Sequence, residues 1–361
     1  MDKKLRVGII GTGGIAGAHI NCYKQIPEVE IVGGADIIPG KARAYLDRNG
    51  YENAKDFESA DELLKLGLDA VSVCTYNSTH AECAVKALEA GCHVLLEKPM
   101  CVTIEQAKSI VKAEKKSGKI VSIGFQPRYG KNFQKVKEII KSGALGDIYY
   151  VQTGGGRRRG MPGGTFIEKD KAGVGALADI GCYALDFALN SIGYPRPLTV
   201  SAVAYDHFGK NPKYSSNSEI FSVDDFSAAF IRLEGGITLD FRMSWAMHMD
   251  TTGDFIFLGK EAGLKVKQPH LELWGGAWDG TVGEITLYHD MFGKPTSTPV
   301  PLENEEKSNL FFSKVRAFID AVLTNGAAPI PTSQIIYNQA IIDGIIRSSQ
   351  SGKEVDVTFT L

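Results

Sequence analysis

The first third of the chain alternates short apolar runs with amphipathic segments of helical periodicity. Five apolar runs occur, and each amphipathic segment ends near a glycine or a proline. The runs are Leu5–Ile10, Val29–Ala35, Ala70–Thr75, His93–Leu96 and Ile120–Phe125. Continuous apolar strands that alternate with helices are typical of a parallel sheet buried on both faces. The pattern predicts an α/β doubly wound domain over residues 1–125.

In the rest of the chain, strand-like runs follow one another without regular helices between them. One early helix is expected at Asn132–Ser142, and two late helices are expected near Asn309–Leu323 and Ser333–Ser349. The strand-like runs are Asp147–Thr153, Leu198–Tyr205, Ser227–Leu233, Ile237–Trp245 and Phe255–Leu258. This order favours an α+β domain over residues 126–361 with a large, mostly antiparallel open sheet. The late helices pack either on this domain or back on the first one.

Composition narrows the classes of function. The 361 residues carry 40 Lys and Arg against 42 Asp and Glu, a net charge of −2, so nucleic acid is not expected as a partner. No apolar run reaches the ~18 residues of a membrane span, and the apolar stretch after the charged N-terminus is too short for a signal peptide. The six cysteines show no C-x-x-C spacing. We therefore expect a cytoplasmic protein with no metal site and no membrane partner.

A glycine-rich segment, Gly11-Thr12-Gly13-Gly14-Ile15-Ala16, joins the first apolar run to the first helix. It fits the dinucleotide-binding pattern G-x-G-x-x-A of a Rossmann domain. Gly11 permits the tight turn, Gly13 lets a pyrophosphate approach the backbone, and Ala16 keeps the helix close to the sheet. The free N–H groups at the helix N-terminus then face the phosphates. We expect the cofactor to bind at the first five positions of this segment: Gly11, Thr12, Gly13, Gly14 and Ile15.

An acidic residue lies at the expected distance beyond this loop. Asp36 ends the second apolar run, 20 residues after Ala16. A carboxylate at this position accepts hydrogen bonds from the adenosine ribose hydroxyls and repels a 2′-phosphate. The next residues, Ile37 and Ile38, offer no positive charge. The sequence therefore predicts NAD rather than NADP as the cofactor.

The fourth apolar run is followed by Glu97-Lys98-Pro99. In an open α/β sheet, ligands bind beyond the carboxyl ends of the strands. This rule places Lys98 at the nicotinamide end of the cofactor, with Glu97 beside it as a further candidate for cofactor binding. Taken alone, a lysine at a strand end is more often a surface residue.

Several motifs together resemble the Gfo/Idh/MocA oxidoreductase family. Val7 to Ala16, Cys74 to His80, Glu97-Lys98-Pro99 and Gly124-Phe125-Gln126 occur in the order found in that family. The segment Gly173 to Asp186 is similar to the family motif G-G-G-x-L-x-D-x-G-x-H-x-x-D. Tyr183 stands where the inositol dehydrogenases have histidine, which resembles the glucose–fructose oxidoreductase, dihydrodiol dehydrogenase and xylose dehydrogenase branches. The resemblance implies an NAD-dependent enzyme whose second domain binds substrate and forms homodimers or homotetramers.

The resemblance also implies catalytic roles for Lys98, Asp179 and Tyr183. Asp179 and Tyr183 are four residues apart, so a helix would place both on one face, and the family implies that this face meets Lys98. Tyr183 is expected to exchange the proton of the substrate hydroxyl, and the ammonium of Lys98 lowers the pKa of the phenol or acts as the base itself. Asp179 would orient the sugar or Lys98. The sequence leaves open which residue accepts the proton, and a helix cap (Asp179) and a core aromatic (Tyr183) are the structural alternatives.

The remaining candidates for contacts with the cofactor or the substrate rest on less specific features of the sequence. The family places the turn with Thr75, Asn77 and His80 beside the cofactor, and Gln126 is a similar candidate after the fifth strand. The basic run Gly154 to Gly160 is either a solvated loop or a loop at the cleft from which Arg158 contacts the substrate. Trp274 and Trp278 either stack on a sugar or lie in a subunit interface.

These observations favour an NAD-dependent dehydrogenase of a sugar, a glycoside or a cyclitol, with a small carbohydrate as its partner. A second hypothesis is an NAD-dependent enzyme that cleaves glycosides by transient ring oxidation and elimination. A third is a non-catalytic sugar-sensing regulator, which the presence of Lys98 and of the Asp179–Tyr183 pair argues against.

Overall fold

The computed structural model describes residues 4–269, 279–304 and 309–361. The chain divides into two compact units. The first comprises Met1–Gly124, Phe311–Ile336 and Leu361, and the second comprises Phe125–Leu310 and Tyr337–Thr360. From Phe311 onward, the first of the two late helices therefore belongs to the first unit.

The first unit contains a six-stranded parallel sheet of order β3-β2-β1-β4-β5-β6. Its strands are β1 (Leu5–Ile10), β2 (Val29–Ala35), β3 (Lys55–Phe57), β4 (Ala70–Val73), β5 (His93–Leu96) and β6 (Val121–Ile123). The connecting helices are α1 (Gly14–Tyr23), α2 (Lys41–Arg48), α3 (Ala60–Leu64), α4 (His80–Glu89) and α5 (Ile104–Ser117). The predicted doubly wound parallel sheet is confirmed. The short strand β3 carries no apolar run, since its residues are mostly exposed, and the pattern did not predict it.

The second unit is built on a nine-stranded sheet of order β14-β13-β12-β11-β7-β10-β9-β8-β15. Its helices are α6 (Lys131–Lys141), α7 (Lys169–Ala172), α8 (Ala176–Asp179) and α9 (Gly181–Ser191). Its strands are β7 (Ile148–Gln152), β8 (Pro197–Tyr205), β9 (Phe226–Leu233), β10 (Thr238–Ser244), β11 (Phe255–Gly259), β12 (Ala262–Val266), β13 (Ile285–Met291), β14 (Lys294–Val300) and β15 (Val355–Asp356). Every described strand pair is antiparallel except β7 with β10. The predicted large, mostly antiparallel sheet is confirmed.

Two late helices lie between β14 and β15: α10 (Leu310–Thr324) and α11 (Thr332–Ser351). Helix α10 contributes Val315, Phe318 and Ile319, which are fully buried, to the core that surrounds Val7 and Ile9 of β1. Burying an apolar side chain of this size contributes roughly 1.5–3 kcal/mol. This helix is therefore part of the hydrophobic core of the first unit.

The segment predicted as one helix carrying Asp179 and Tyr183 is two helices. Helix α8 ends at Asp179, α9 begins at Gly181, and Ile180 between them has φ −108° and ψ −28°. Gly181 is closely packed at this junction, since a Cβ there would lie 2.9 Å from Cζ of Phe241. The expectation that a continuous helix presents both side chains on one face is therefore wrong.

Among the helices of the described residues, none is by itself long and apolar enough to span a membrane, although the pair Lys169–Asp179 and Gly181–Ser191, bent by 47°, has sufficient length and hydropathy when taken together.

Candidate active site

The glycine-rich loop of the first unit has the geometry of a pyrophosphate cradle. Gly11 has φ +84°, and a Cβ there would lie 2.7 Å from the carbonyl oxygen of Cys74, so no other residue fits this turn. Helix α1 begins after Gly13 without a side-chain cap from the described residues. Apart from their chain neighbours and the backbone of α1 itself, no described atom lies within 4 Å of the Cβ positions of Gly13 and Gly14. The first turn of α1 is therefore open, with its amides and its dipole directed at an approaching anion.

Asp36 is anchored between this loop and the start of α2. Its Oδ2 accepts hydrogen bonds from the N–H and the hydroxyl of Thr12, both at 2.9 Å, and pairs with Nζ of Lys41 at 2.9 Å. Its Oδ1 accepts one hydrogen bond, from the N–H of Ile38 at 3.1 Å. Burial raises the pKa of Asp36, but the Lys41 ammonium and these donors outweigh it and hold the pKa below its ordinary value. Lys41 was missed because it lies five residues further along the chain, at the first residue of a helix.

The turn that carries Lys98 is tied to the turn after β4. Lys98 is half-buried and precedes Pro99 through a cis peptide bond. Nδ1 of His80 lies 2.7 Å from the carbonyl oxygen of Pro99, and Nε2 lies 3.2 Å from that of Thr75. Burial lowers the pKa of His80, so the neutral ring donates to one of these two acceptors. The structure thus brings together three of the predicted cofactor residues, Thr75, His80 and Lys98, while Asn77 begins the short 3₁₀ helix between Thr75 and His80.

The Glu97 carboxylate points into the first unit. Its Oε1 lies 2.7 Å from Nε2 of His19 and is in direct contact with Nζ of Lys314, and its Oε2 accepts a hydrogen bond from the N–H of Lys98 at 3.3 Å. Glu97 was predicted to bind the cofactor, yet both carboxylate oxygens have partners inside the protein. Neither His19 nor Lys314 was identified from the sequence, since Lys314 is 217 residues away from Glu97.

In the second unit, Tyr183 has both a polar and an aromatic neighbour. Its hydroxyl lies 3.2 Å from Nε2 of Gln126, and its ring meets the ring of Phe125 edge to face, with centroids 5.6 Å apart. Tyr183 and Gln126 are both buried. The structure thus brings together two residues that the sequence assigned to different roles, proton exchange and cofactor binding.

Asp179 lies in a polar cluster that the sequence only partly revealed. Its Oδ2 accepts a hydrogen bond from Nε1 of Trp245 at 3.0 Å. Burial lowers the pKa of Arg157, and the nearby charge of Asp179 opposes that effect. Arg157 is buried, whereas Arg158, the predicted substrate contact, is exposed. The basic run alone does not show which arginine faces inward.

The start of α8 is fixed by the half-buried carboxylate of Asp224. Asp224 accepts hydrogen bonds from the N–H groups of Gly175 at 2.7 Å and Leu177 at 2.8 Å, and from the hydroxyl of Ser227 at 3.1 Å. A Cβ at Gly175 would lie 1.9 Å from the backbone oxygen of Asp224, so this approach requires glycine. Burial raises the pKa of Asp224. These contacts set the position of Asp179 at the other end of α8.

A second carboxylate, which is buried, fixes α9. Asp186 accepts hydrogen bonds from Nε and Nη2 of Arg128 at 2.9 and 2.8 Å and contacts the hydroxyl of Tyr194. Arg128 belongs to the 3₁₀ turn Gln126–Tyr129, so the pair holds Gln126 and Tyr183 on adjoining elements.

Two remaining expectations concern other parts of the chain. Trp274 and Trp278 lie outside the described residues. Within the described ranges, there is no group of three or more His, Cys, Asp or Glu side chains that could hold a metal ion.

Comparison with known proteins gives matches for both parts of the chain. The family model described as "Oxidoreductase family, NAD-binding Rossmann fold" (GFO_IDH_MocA) matches residues 5–125, and the GFO/IDH/MocA C-terminal domain matches residues 133–265. D-glucoside 3-dehydrogenase of Escherichia coli is 33% identical over 278 residues, which cover 75% of this chain and 79% of that protein. Inositol 2-dehydrogenase of Salmonella typhimurium is 38% identical over 150 residues, 41% of this chain and 44% of that protein.

Solved structures share the fold over nearly the whole chain. A levoglucosan dehydrogenase in complex with NADH and levoglucosan aligns with a TM-score of 0.79 and 22% identity, covering 98% of this chain and 100% of that one. The aldose-aldose oxidoreductase of Caulobacter crescentus aligns with a TM-score of 0.76 and 22% identity, again covering 98% and 100%. At these identities the likeness concerns the fold.

We expect Asp186 to be required for the stability of the second unit. Replacing it in Asp186→Leu leaves the guanidinium of Arg128 buried without its counter-charge, which should lower the free energy of unfolding by about 3–5 kcal/mol. Urea denaturation measures this loss. The matched control is Asp147→Ala, which removes an exposed pair with Lys260 and should cost at most ~1 kcal/mol. Equal losses in the two variants would contradict the role assigned to Asp186.

Proposed function

Because this chain belongs to the Gfo/Idh/MocA oxidoreductase family, we propose that it transfers a hydride between NAD and a secondary alcohol of a sugar, a glycoside or a cyclitol. One observation carries the proposal. The 33% identity with D-glucoside 3-dehydrogenase extends over 75% of this chain, so it includes parts of both units. The inositol 2-dehydrogenase match keeps cyclitols within the substrate class.

The first unit is an NAD-binding Rossmann domain, and the open first turn of α1 fits the pyrophosphate of that cofactor. When bound, the nicotinamide ring supplies the hydride chemistry. Asp36 would hold the adenosine ribose through Oδ1, the oxygen with a single donor among the described residues. Lys41 weakens the repulsion of a 2′-phosphate without removing it, because the carboxylate stays ionised.

Lys98 and Tyr183 would handle the proton of the substrate hydroxyl. A phenol with an ordinary pKa near ~10 is a poor base at neutral pH, and an ammonium that shares the same hydroxyl lowers this pKa. Gln126, within hydrogen-bonding distance of the Tyr183 hydroxyl, would orient the phenol. Asp179, oriented by Trp245, would bind a neighbouring sugar hydroxyl. The proton acceptor is either Tyr183 or Lys98.

The open face of the nine-stranded sheet would form the contact between subunits of a homodimer or homotetramer. Strand pairing places Val203, Tyr205, Phe230 and Tyr288 on this face, and each is more than 40% exposed. Large exposed apolar side chains grouped on one sheet face are typical of an interaction surface.

The substrate class can be tested by absorbance at the NADH band. We expect NADH to form when the protein is given NAD and at least one member of a panel of sugars, methyl glycosides and inositols. Glycoside cleavage without accumulation of NADH would instead favour the enzyme that oxidises its substrate transiently. Binding of NAD and a sugar without any turnover would favour a sensor, and either outcome would overturn the dehydrogenase proposal.

Single substitutions test the proton-handling residues. Lys98→Met and Tyr183→Phe should each lower kcat by at least ~10²-fold, since general acid–base catalysis contributes that much. Tyr149→Phe, at an exposed position on β7, is the control and should keep the full rate. Turnover close to that of the unmodified protein in either of the first two variants, measured under saturating NAD, would refute the assignment.

Cofactor preference follows from the charge at Asp36. We expect the dissociation constant of NADH to be clearly below that of NADPH and to rise about 10- to 100-fold in Asp36→Ser, which removes an ionic acceptor. Lys41→Ala should increase the discrimination against NADPH, because it leaves the carboxylate uncompensated. Titration of the bound-NADH fluorescence measures each constant, and tighter binding of NADPH to the unmodified protein would contradict the prediction.

Light scattering after size-exclusion chromatography tests the assembly. A dimer or tetramer is expected, and Phe230→Glu should give smaller species by placing a charge in the contact. Ile37→Glu, an exposed position in the first unit, serves as the control. A monomer at micromolar concentration of the unmodified protein would rule out the proposed contact.

A further inference from the structure

Lys314 is a charged side chain in the interior of the first unit. It extends from α10, its side chain has no exposed surface, and its Nζ contacts Oε1 of Glu97, whose side chain is 4% exposed. We propose that Lys314 is a positioning residue for Lys98: it neutralises Glu97, and the Glu97 carboxylate holds the Lys98 turn against helix α1. This inference rests on the proposed function only in taking Lys98 as a catalytic residue.

One carboxylate joins three elements of the first unit. Oε1 of Glu97 contacts Nε2 of His19 in α1 and Nζ of Lys314 in α10. Oε2 accepts a hydrogen bond from the backbone N–H of Lys98. A Cβ at Gly124 would lie 2.8 Å from Oε1. The backbone at the end of β6 therefore also packs closely against the carboxylate. The same helix α1 carries the glycine-rich loop at its N-terminus. Any movement of the carboxylate therefore changes the placement of Lys98 relative to that loop.

The hydrogen bonds around His19 are consistent with a neutral ring. Burial and then the Lys314 charge lower the pKa of His19. With Nε2–H donating to Glu97, Nδ1 accepts from the hydroxyl of Ser72 at 3.0 Å, and the hydroxyl of Tyr23 lies 2.8 Å from Ser72 Oγ. Lys314 therefore supplies the positive charge that compensates Glu97 within this cluster.

A buried ion pair is weak evidence for stability, because an apolar pair of similar volume is often as stable or more stable. An apolar residue at position 97 has no oxygen that could accept a hydrogen bond from the Lys98 N–H or from the His19 ring. The role of the Glu97–Lys314 pair is therefore to orient the Lys98 turn. The Lys314 charge offsets the cost of placing a carboxylate in the interior.

Removing Lys314 should bring the ionisation of Glu97 into the accessible pH range. The groups that face this carboxylate are Lys314, His19, Cys74 and His80. Burial raises the pKa of Glu97, but Lys314, followed by His19, holds it well below the ordinary 4.5. The pair therefore contributes stability above about pH 4.5 that is lost as the pH falls below it. Without the ammonium, burial dominates, the pKa rises above 4.5, and ionisation destabilises the folded state as the pH increases.

The test compares Lys314→Met with the unmodified protein, without cofactor, by thermal unfolding between pH 5 and 8. We expect the Tm of the variant to lie below that of the unmodified protein, by a difference that increases as the pH rises. In the double variant Glu97→Gln/Lys314→Met no carboxylate remains, so its Tm difference from the unmodified protein should change less with pH over this range. The control Lys108→Met removes an exposed helical pair with Glu105 and should show no such trend. A Tm deficit of Lys314→Met that is constant with pH would overturn the proposed charge compensation.

The kinetic arm tests positioning itself. With a sugar that the unmodified protein oxidises, Lys314→Met should lower kcat by ~10²-fold at pH 8, the cost of misplacing a catalytic group by about 1 Å, with KM for the sugar nearly unchanged. A pH-dependent Tm deficit combined with an unchanged kcat would mean that the pair is only structural, which contradicts the inference. If no sugar is oxidised by the unmodified protein, the proposed function fails, while the unfolding data still decide whether Lys314 compensates Glu97.

Discussion

Glu97 carries a negative charge in the interior of the first unit, and the groups around it determine where Lys98 lies. Several kcal/mol of lost hydration must be offset for any buried ion. Here a lysine from the distant helix α10 offsets it, and a neutral histidine from α1 adds a directed hydrogen bond. Helix α1, helix α10 and the turn that carries Lys98 are therefore joined by one carboxylate, although α10 lies far away in the sequence.

The second unit also uses carboxylates to fix helices. Asp224 satisfies backbone N–H groups at the start of α8, whose last residue is Asp179. Asp186 pairs with Arg128 and so ties α9, which carries Tyr183, to the turn that carries Gln126. In each unit, one buried carboxylate paired with a cation, Glu97 or Asp186, lies on an element that carries a group assigned to chemistry. This arrangement fixes the positions of these groups more tightly than apolar packing alone, because hydrogen bonds are directional.

The sequence predicted the parts of the fold that rest on local pattern. Apolar runs with intervening helices predicted the doubly wound parallel sheet of the first unit, which the structure confirms. Strands β12 to β14 were missed, partly because β14 is an edge strand containing two prolines, a composition that argues against a strand. The contacts of Lys314 and Lys41, and the inward orientation of Arg157 rather than Arg158, depend on tertiary packing. Periodicity and motif spacing carry no information about such packing.

The chemistry of the NAD-binding family rests on the direct transfer of a hydride from a carbon of the substrate. The most direct measurement uses a sugar or methyl glycoside deuterated at its ring carbons, incubated with the protein and NAD, with the reduced cofactor analysed by mass spectrometry. The expected result is NADH one mass unit heavier than that formed from the unlabelled substrate. Reduced cofactor without deuterium, or no reduction with any labelled sugar that binds, would contradict hydride transfer from a secondary alcohol.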